Sequence, residues 1–202
     1  MVRLIKKISL HRALKIGYLR DEKKQAKRLK RFGYVLDKEL TDNQHLVAFN
    51  PFSKQVLFVN NGSQSSILDP VQFTKDWRTN FTAVPAGTFA YTPRFQEDKN
   101  TYTKAKKKYG EEVKFVLTGH SQGGISVNEL ASGNDKGYTY NAALVKQKDN
   151  PRVENYRNSR DVVSMFANPD DMKTLYQQPN MRTYNPLSAH SIDNIRELPI
   201  FI

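Results

Sequence analysis

Residues 114–131 read KFVLTGHSQGGISVNELA: a run of strand-forming residues, a serine set between glycines, then a stretch that can continue as a helix. No other part of the 202-residue chain limits its fold as tightly. Gly119-His120-Ser121-Gln122-Gly123 matches G-x-S-x-G. In that pattern the glycines let a strained turn pass close to its neighbours, and the serine hydroxyl stands exposed at the end of a sheet. The pattern has meaning only between a strand and a helix, and both flanks satisfy that condition here. The plainer alternative is a glycine-rich strand-to-helix turn carrying an inert serine.

The surrounding segments alternate in the same way. Residues 45–50 (HLVAFN) and 55–60 (QVLFVN) are short apolar runs around Pro51, Phe52, Ser53 and Lys54, which predicts a hairpin. Residues 96–110 begin with acidic and end with basic side chains before a closing glycine, as suits a helix aligned with its own dipole. Further strands are expected at 112–117, 138–145 and 152–157. This α/β order predicts a mostly parallel sheet with crossover helices, whose ligands sit at the carboxyl ends of the strands.

A serine nucleophile needs a base, and the base needs an acid to hold its tautomer. In the fold that uses this turn, the chain order is Ser, then Asp or Glu, then His. His190 is the only histidine after Ser121, so it is the candidate base. His11 and His45 precede the serine and read as a surface and a strand residue, while His120, beside the serine, reads as a packing residue. Asp161 follows a strand candidate and precedes Val162 and Val163, a setting in which a carboxylate can stay ionised and orient an imidazole. Its rivals Asp170 and Asp171 lie in a loop-like stretch better suited to capping a helix. The amide of Gln122 and a donor from the turn Asn60-Asn61-Gly62-Ser63, with Ser63 offering amide and hydroxyl, are the candidate oxyanion hole. Each aimed donor is worth about 3 to 4 kcal/mol in the transition state.

These residues together resemble the class 3 (fungal-type) lipases of the α/β-hydrolase fold. That family has a strand ending in a pattern like F-R-G-T, a D-W pair, a helix, G-H-S-L-G-G, an Asp in a context like GRDPV, and a His. This chain has VNNGS at 59–63, Asp76-Trp77, GHSQGG at 119–124, SRDVV at 159–163 and His190, over residues 32–196. The resemblance implies Ser121 as nucleophile, Asp161 as orienting acid, His190 as base, and Ser63 and Gln122 as oxyanion donors. Asn61 stands where the family usually has Arg, Ser63 where it has Thr, and Gln122 where it has Leu. The intervals between the three catalytic candidates are shorter than in the secreted fungal enzymes. This compact form resembles the small lipase-like proteins of large DNA viruses and their satellites. In that family an apolar flap covers the site, and residues 81–95 occupy its place. Phe81, Val84, Phe89, Tyr91 and Phe95 in that stretch either form such a flap or complete the core.

Charge divides the chain unevenly. Residues 1–31 hold 12 of the 32 Lys and Arg against only Asp21 and Glu22, whereas the other 171 residues are nearly neutral. Leu10, Ala13, Leu14, Gly17, Tyr18, Ala26 and Leu29 fall at helical spacing within this segment, which predicts an amphipathic helix with a cationic back. It is read as a basic N-terminal arm (1–31) preceding a lipase-like domain (32–202). The arm either packs on the body or docks on an anionic partner: a membrane surface, an acidic protein or, less favoured, nucleic acid. On the docking reading, residues 1–24 are dispensable for hydrolysis of a soluble ester.

With no cysteine, disulfide and thiolate-metal chemistry are excluded, and the expected reaction calls for no cofactor or metal. No apolar run has the form of a signal peptide, so an intracellular (cytoplasmic) or virion location is expected. The leading functional expectation is a serine hydrolase cleaving lipid acyl esters. The alternative is a catalytically idle lipase-like structural or virion component that docks through its basic arm.

Overall fold

The computed structural model describes residues 7–62, 88–143, 150–161, 164, 173–175 and 190–192. Among these, seven strands form one sheet in sequence order. β1 (Val35–Leu36), β2 (His45–Asn50) and β3 (Gln55–Asn60) are antiparallel neighbours. From β3 onward, β4 (Lys114–His120), β5 (Lys136–Tyr140), β6 (Val153–Asn158) and β7 (Lys173–Leu175) pair in parallel. The expected hairpin is present, running from His45 opposite Asn60 to Asn50 opposite Gln55. Asn50 Oδ1 closes its turn by accepting from the amides of Phe52 (3.0 Å) and Ser53 (3.2 Å), as a short polar side chain does at such corners.

β3 and β4 are buried nearly throughout, with apolar centres (VLFV and FVL), the pattern of strands covered on both faces. Alternation along each strand divides their side chains between two cores. Val56, Phe58, Phe115 and Leu117 face α3 (Pro93–Tyr109) and α4 (Gln122–Leu130), joining Phe95, Tyr102, Ala105, Ile125 and Val127. Leu57, Val59 and Val116 face the other way, where Leu10, Ala13, Leu14 and Ile16 of α1 (Leu10–Gly17) and Leu29 of α2 (Glu22–Lys30) cover them. Each fully buried Val, Leu or Ile among them contributes about 1.5 to 3 kcal/mol.

The basic N-terminal segment therefore supplies one layer of the three-layer body. Its single expected helix is two helices, capped by Ser9 and by Asp21, whose side chains accept from the amides of Arg12 (3.4 Å) and Lys24 (3.1 Å). Removing residues 1–24 would uncover Leu57, Val59 and Val116, so of the two readings of this segment its burial favours packing on the body. Gly17 also has a reason to be glycine. A Cβ there would lie 2.7 Å from Val59 Cγ1, so the end of α1 could not approach β3 with any larger residue.

α3 starts three residues earlier than the charge pattern suggested. Thr92 caps it, accepting from the amide of Phe95 at 3.2 Å, and Pro93 takes the first turn, where its missing amide costs nothing. Asp98 consequently sits in the second turn, fully buried, and does not serve the helix dipole. Of the apolar residues read as flap or core, Phe89 and Phe95 are buried in the α3 core with ring centroids 5.7 Å apart, and Tyr91 is exposed. Phe81 and Val84 lie outside the described residues, as do Asp76, Trp77, Val162, Val163, Asp170 and Asp171. No described helix is long and apolar enough to cross a membrane.

Candidate active site

β4 ends at His120 and α4 begins at Gln122, which leaves Ser121 alone to make the turn. Its backbone has φ 55° and ψ −123°, a region that costs a non-glycine residue roughly 1 to 3 kcal/mol. The glycines make this turn possible. A Cβ on Gly123 would lie 2.1 Å from the carbonyl oxygen of Asn60, and one on Gly119 would lie 2.3 Å from that of Gly123. The turn thus packs backbone on backbone against the end of β3.

Ser121 Oγ lies 2.9 Å from His190 Nε2, and His190 Nδ1 lies 3.0 Å from Asp161 Oδ1. The three residues are separated by 40 and 29 positions in the chain and meet at the carboxyl end of the sheet. Asp161 is buried, its side chain fully so, and its Oδ2 accepts from the amide of Ser164 at 3.2 Å. The His190 ring is 15% exposed. A carboxylate on Nδ1 requires that nitrogen to carry the proton, which leaves Nε2 as an acceptor facing the serine hydroxyl. Gln122 is the first residue of α4, at the positive end of the helix dipole. Ser63 lies outside the described residues.

Several residues that hold this arrangement escaped the sequence reading. The His190 carbonyl accepts from His120 Nε2 (2.8 Å) and from Asn141 Nδ2 (3.2 Å). Asn141 Oδ1 in turn accepts from the amide of Asn158 at 2.7 Å, which ties the ends of β5 and β6 to the histidine segment. His120 Nδ1 lies 2.7 Å from the Tyr18 hydroxyl, and that hydroxyl accepts from the amide of Gly62 at 2.8 Å. Burial, with a further contribution from His190, pushes the His120 imidazole down to about 3, so it is neutral near pH 7. His120 was read as a packing residue; it packs against His190, and it also bonds through both ring nitrogens.

The loop after β3 is gripped from the opposite layer as well. Arg94 of α3 donates from Nη2 to Asn61 O (2.6 Å) and Asn60 Oδ1 (2.9 Å), and from Nε to Asp98 Oδ1 (3.0 Å). Asp98 also accepts from Ser126 Oγ and meets His45 Nε2 at 2.8 Å, while His45 Nδ1 lies 3.0 Å from Asp42. Burial alone would push His45 down, but bonding to Asp42 and Asp98 outweighs it and holds the imidazole up. Burial likewise opposes the charge of Asp98, and His45, Arg94 and Ser126 outweigh it, which leaves the carboxyl below its ordinary range. Ser126, Asp98 and His45 are sealed in the core, so this second serine-aspartate-histidine set is structural. Asn61, where the resemblance led to an expected Arg, is met instead by the guanidinium of Arg94 from α3. No group of three or more His, Cys, Asp or Glu among the described residues could hold a metal ion.

No protein-family model matches the sequence, and no curated protein does. Solved structures do match. The Rhizomucor miehei lipase propeptide complex superposes with a TM-score of 0.52 at 19% identity, over 83% of this chain and 66% of that one. Lip2 lipase from Yarrowia lipolytica gives a TM-score of 0.52 at 14% identity, over 84% of this chain and 76% of that one. The chain spans just under two-thirds of the R. miehei protein's length. Both relatives are fungal, and neither bears on the viral resemblance. The chain has a lipase-like α/β-hydrolase fold similar to that of fungal lipases.

Proposed function

We propose that the protein is a serine hydrolase that cleaves lipid acyl esters, with Ser121 as nucleophile, His190 as general base and Asp161 as the acid that orients it. The observation that carries this reading is the unbroken pair of contacts, Ser121 Oγ to His190 Nε2 at 2.9 Å and His190 Nδ1 to Asp161 Oδ1 at 3.0 Å. His190 takes the hydroxyl proton as Ser121 Oγ bonds to the ester carbonyl carbon, and the carbonyl oxygen becomes an oxyanion. Donors from Gln122 N–H and Ser63 stabilise that charge. The tetrahedral species collapses as the carbon–oxygen bond to the alcohol breaks, and His190 returns its proton to the departing oxygen. Water then repeats the sequence on the acyl-enzyme, releasing the acid and restoring Ser121.

The exposed cations Arg12, Arg20, Lys23, Lys27, Arg28, Lys30 and Arg31 on α1, α2 and their flanks support adsorption to an anionic lipid surface, an attraction that salt screens. A fluorophosphonate probe tests the chemistry directly. The wild-type chain is expected to be labelled at Ser121, the Ser121→Ala variant not at all, and His190→Ala is expected to lose about 10⁴-fold or more in ester hydrolysis. A wild-type chain inert to the probe and to short esters would leave the fold as a docking scaffold.

A further inference from the structure

We infer that Tyr18 is a positioning residue for this reaction, coupling the oxyanion loop to the main chain of the catalytic histidine through His120; the inference rests on the serine-hydrolase reading above. The directions of the hydrogen bonds follow from what each atom can do. The Gly62 amide can only donate, so the Tyr18 oxygen accepts at 2.8 Å. The His190 carbonyl can only accept, so His120 Nε2 carries a proton and donates at 2.8 Å. Tyr18 has a single proton, and the remaining contact, 2.7 Å to His120 Nδ1, takes it. All four groups are satisfied only when His120 is neutral with its proton on Nε2; burial enforces the neutral charge, and the His190 carbonyl selects the tautomer.

Each end of the relay lies one step from a reacting group. Gly62 immediately precedes Ser63, and the His190 carbonyl belongs to the residue whose ring takes the serine proton. The adjacent residue on α1 grips the same loop, because the Gly17 carbonyl accepts from Asn61 Nδ2 at 2.9 Å. A Cβ on Gly62 would lie 2.8 Å from both His120 O and Ser121 Cβ, so the loop and the serine turn are in direct backbone contact. A shift in Tyr18 is therefore felt by both halves of the site. The N-terminal segment, which charge alone would make a docking arm, also aligns the catalytic machinery.

Tyr18→Phe keeps the ring and removes the hydroxyl. Measured on a soluble short-chain ester, and normalised to sites titrated with a fluorophosphonate, its kcat is expected to fall about 10- to 100-fold, the scale of a misplaced donor or base. KM is expected to stay within about twofold, because the relay touches no part of the substrate. His120→Gln retains a donor for the His190 carbonyl and loses the Tyr18 link, so it is expected to resemble Tyr18→Phe. The double variant is expected to be no slower than either single one, since both remove one connection. A purely structural tyrosine would lower the titratable fraction and leave kcat per titrated site within about twofold of wild type; that result, or additive losses in the double variant, would overturn the proposal. If the wild-type chain itself is not labelled, the serine-hydrolase reading fails first, and the relay fails with it for a separate and visible reason.

Discussion

The two helical layers grip one loop by different chemistry. From the α3 side the grip is ionic: the Arg94 guanidinium spans Asn60, Asn61 and the buried Asp98, which His45 and Ser126 also serve. From the α1 side it is neutral, made by a backbone carbonyl at Gly17 and the phenol of Tyr18. An ionic clamp in a core is costly to assemble and fails sharply when one partner is lost, because an uncompensated charge remains buried. A neutral relay loses only the hydrogen bonds removed, but it depends on one histidine tautomer. The loop after β3 is thus held by one device sensitive to missing charge and one sensitive to proton placement.

The largest effect is expected on removing the neutral layer altogether. Deleting residues 1–24 exposes the sheet face carrying Leu57, Val59 and Val116, and no cooperatively folded protein is expected by circular dichroism or thermal melting. A truncated chain that melts cooperatively and hydrolyses soluble ester would show that α1 is an appendage, and the comparison between layers would collapse.

Breaking the ionic grip comes next. Arg94→Ala leaves Asp98 buried but still served by His45 and Ser126, so a loss of about 3 kcal/mol is expected, the low end for a broken buried pair. Tyr18→Phe strands the Gly62 amide instead, at about 1 to 2 kcal/mol. Denaturant titration of both variants checks the ranking, and equal losses would erase the distinction between the two grips.

Acid should separate the layers more finely. His120 has its folded value depressed to about 3, so its neutral native form weakens stability only as pH falls below the unfolded value near 6.5, by up to about 1.4 kcal/mol per pH unit. Asp42 and Asp98 are also depressed; their contribution is present above about pH 4 and is lost as pH falls through their lower folded values. His45 runs the other way, with a raised value whose contribution is full below about pH 6.5 and is lost as pH climbs through it. Melting curves between pH 8 and 4 are expected to show a decline beginning near 6.5 in wild type and a flatter course in His120→Gln. An unchanged decline in that variant would assign it elsewhere.

The smallest effect concerns the outside of the α1–α2 layer. Replacing Lys23, Lys27 and Arg28 by Gln is expected to change stability by no more than about 0.5 kcal/mol each, since all three are exposed, and to leave soluble-ester hydrolysis unaltered. Co-sedimentation with anionic vesicles at low salt is expected to weaken, and retention undiminished by these changes would remove the cationic flank as the adsorbing surface.

Local chemistry made part of this molecule readable in advance. The G-x-S-x-G turn between a strand and a helix, the hairpin around Asn50 and the alternation of strand and helix are properties of short windows, set by periodicity and by which residues tolerate a given φ and ψ. The chain order of Ser121, Asp161 and His190 was also legible, because only one histidine follows the serine, and the structure brings these side chains to 2.9 and 3.0 Å. Element ends were less legible, as at α3, where Thr92 and Pro93 start the helix ahead of the acidic residues that suggested its beginning.

What the sequence determined by itself was the sheet-and-helix order and the strained serine turn, since each is decided within a few neighbouring residues. Only the tertiary structure decided that the basic segment covers a sheet face, that Phe89 belongs to the core, that Arg94 reaches from α3 to Asn61, and that Tyr18 meets His120 across 102 positions. The charge of a segment describes its solvent side, while its partners depend on which apolar face the rest of the chain leaves open. A tyrosine's hydrogen-bond partners, likewise, are fixed by the shape that folding creates around it, and no local pattern encodes them.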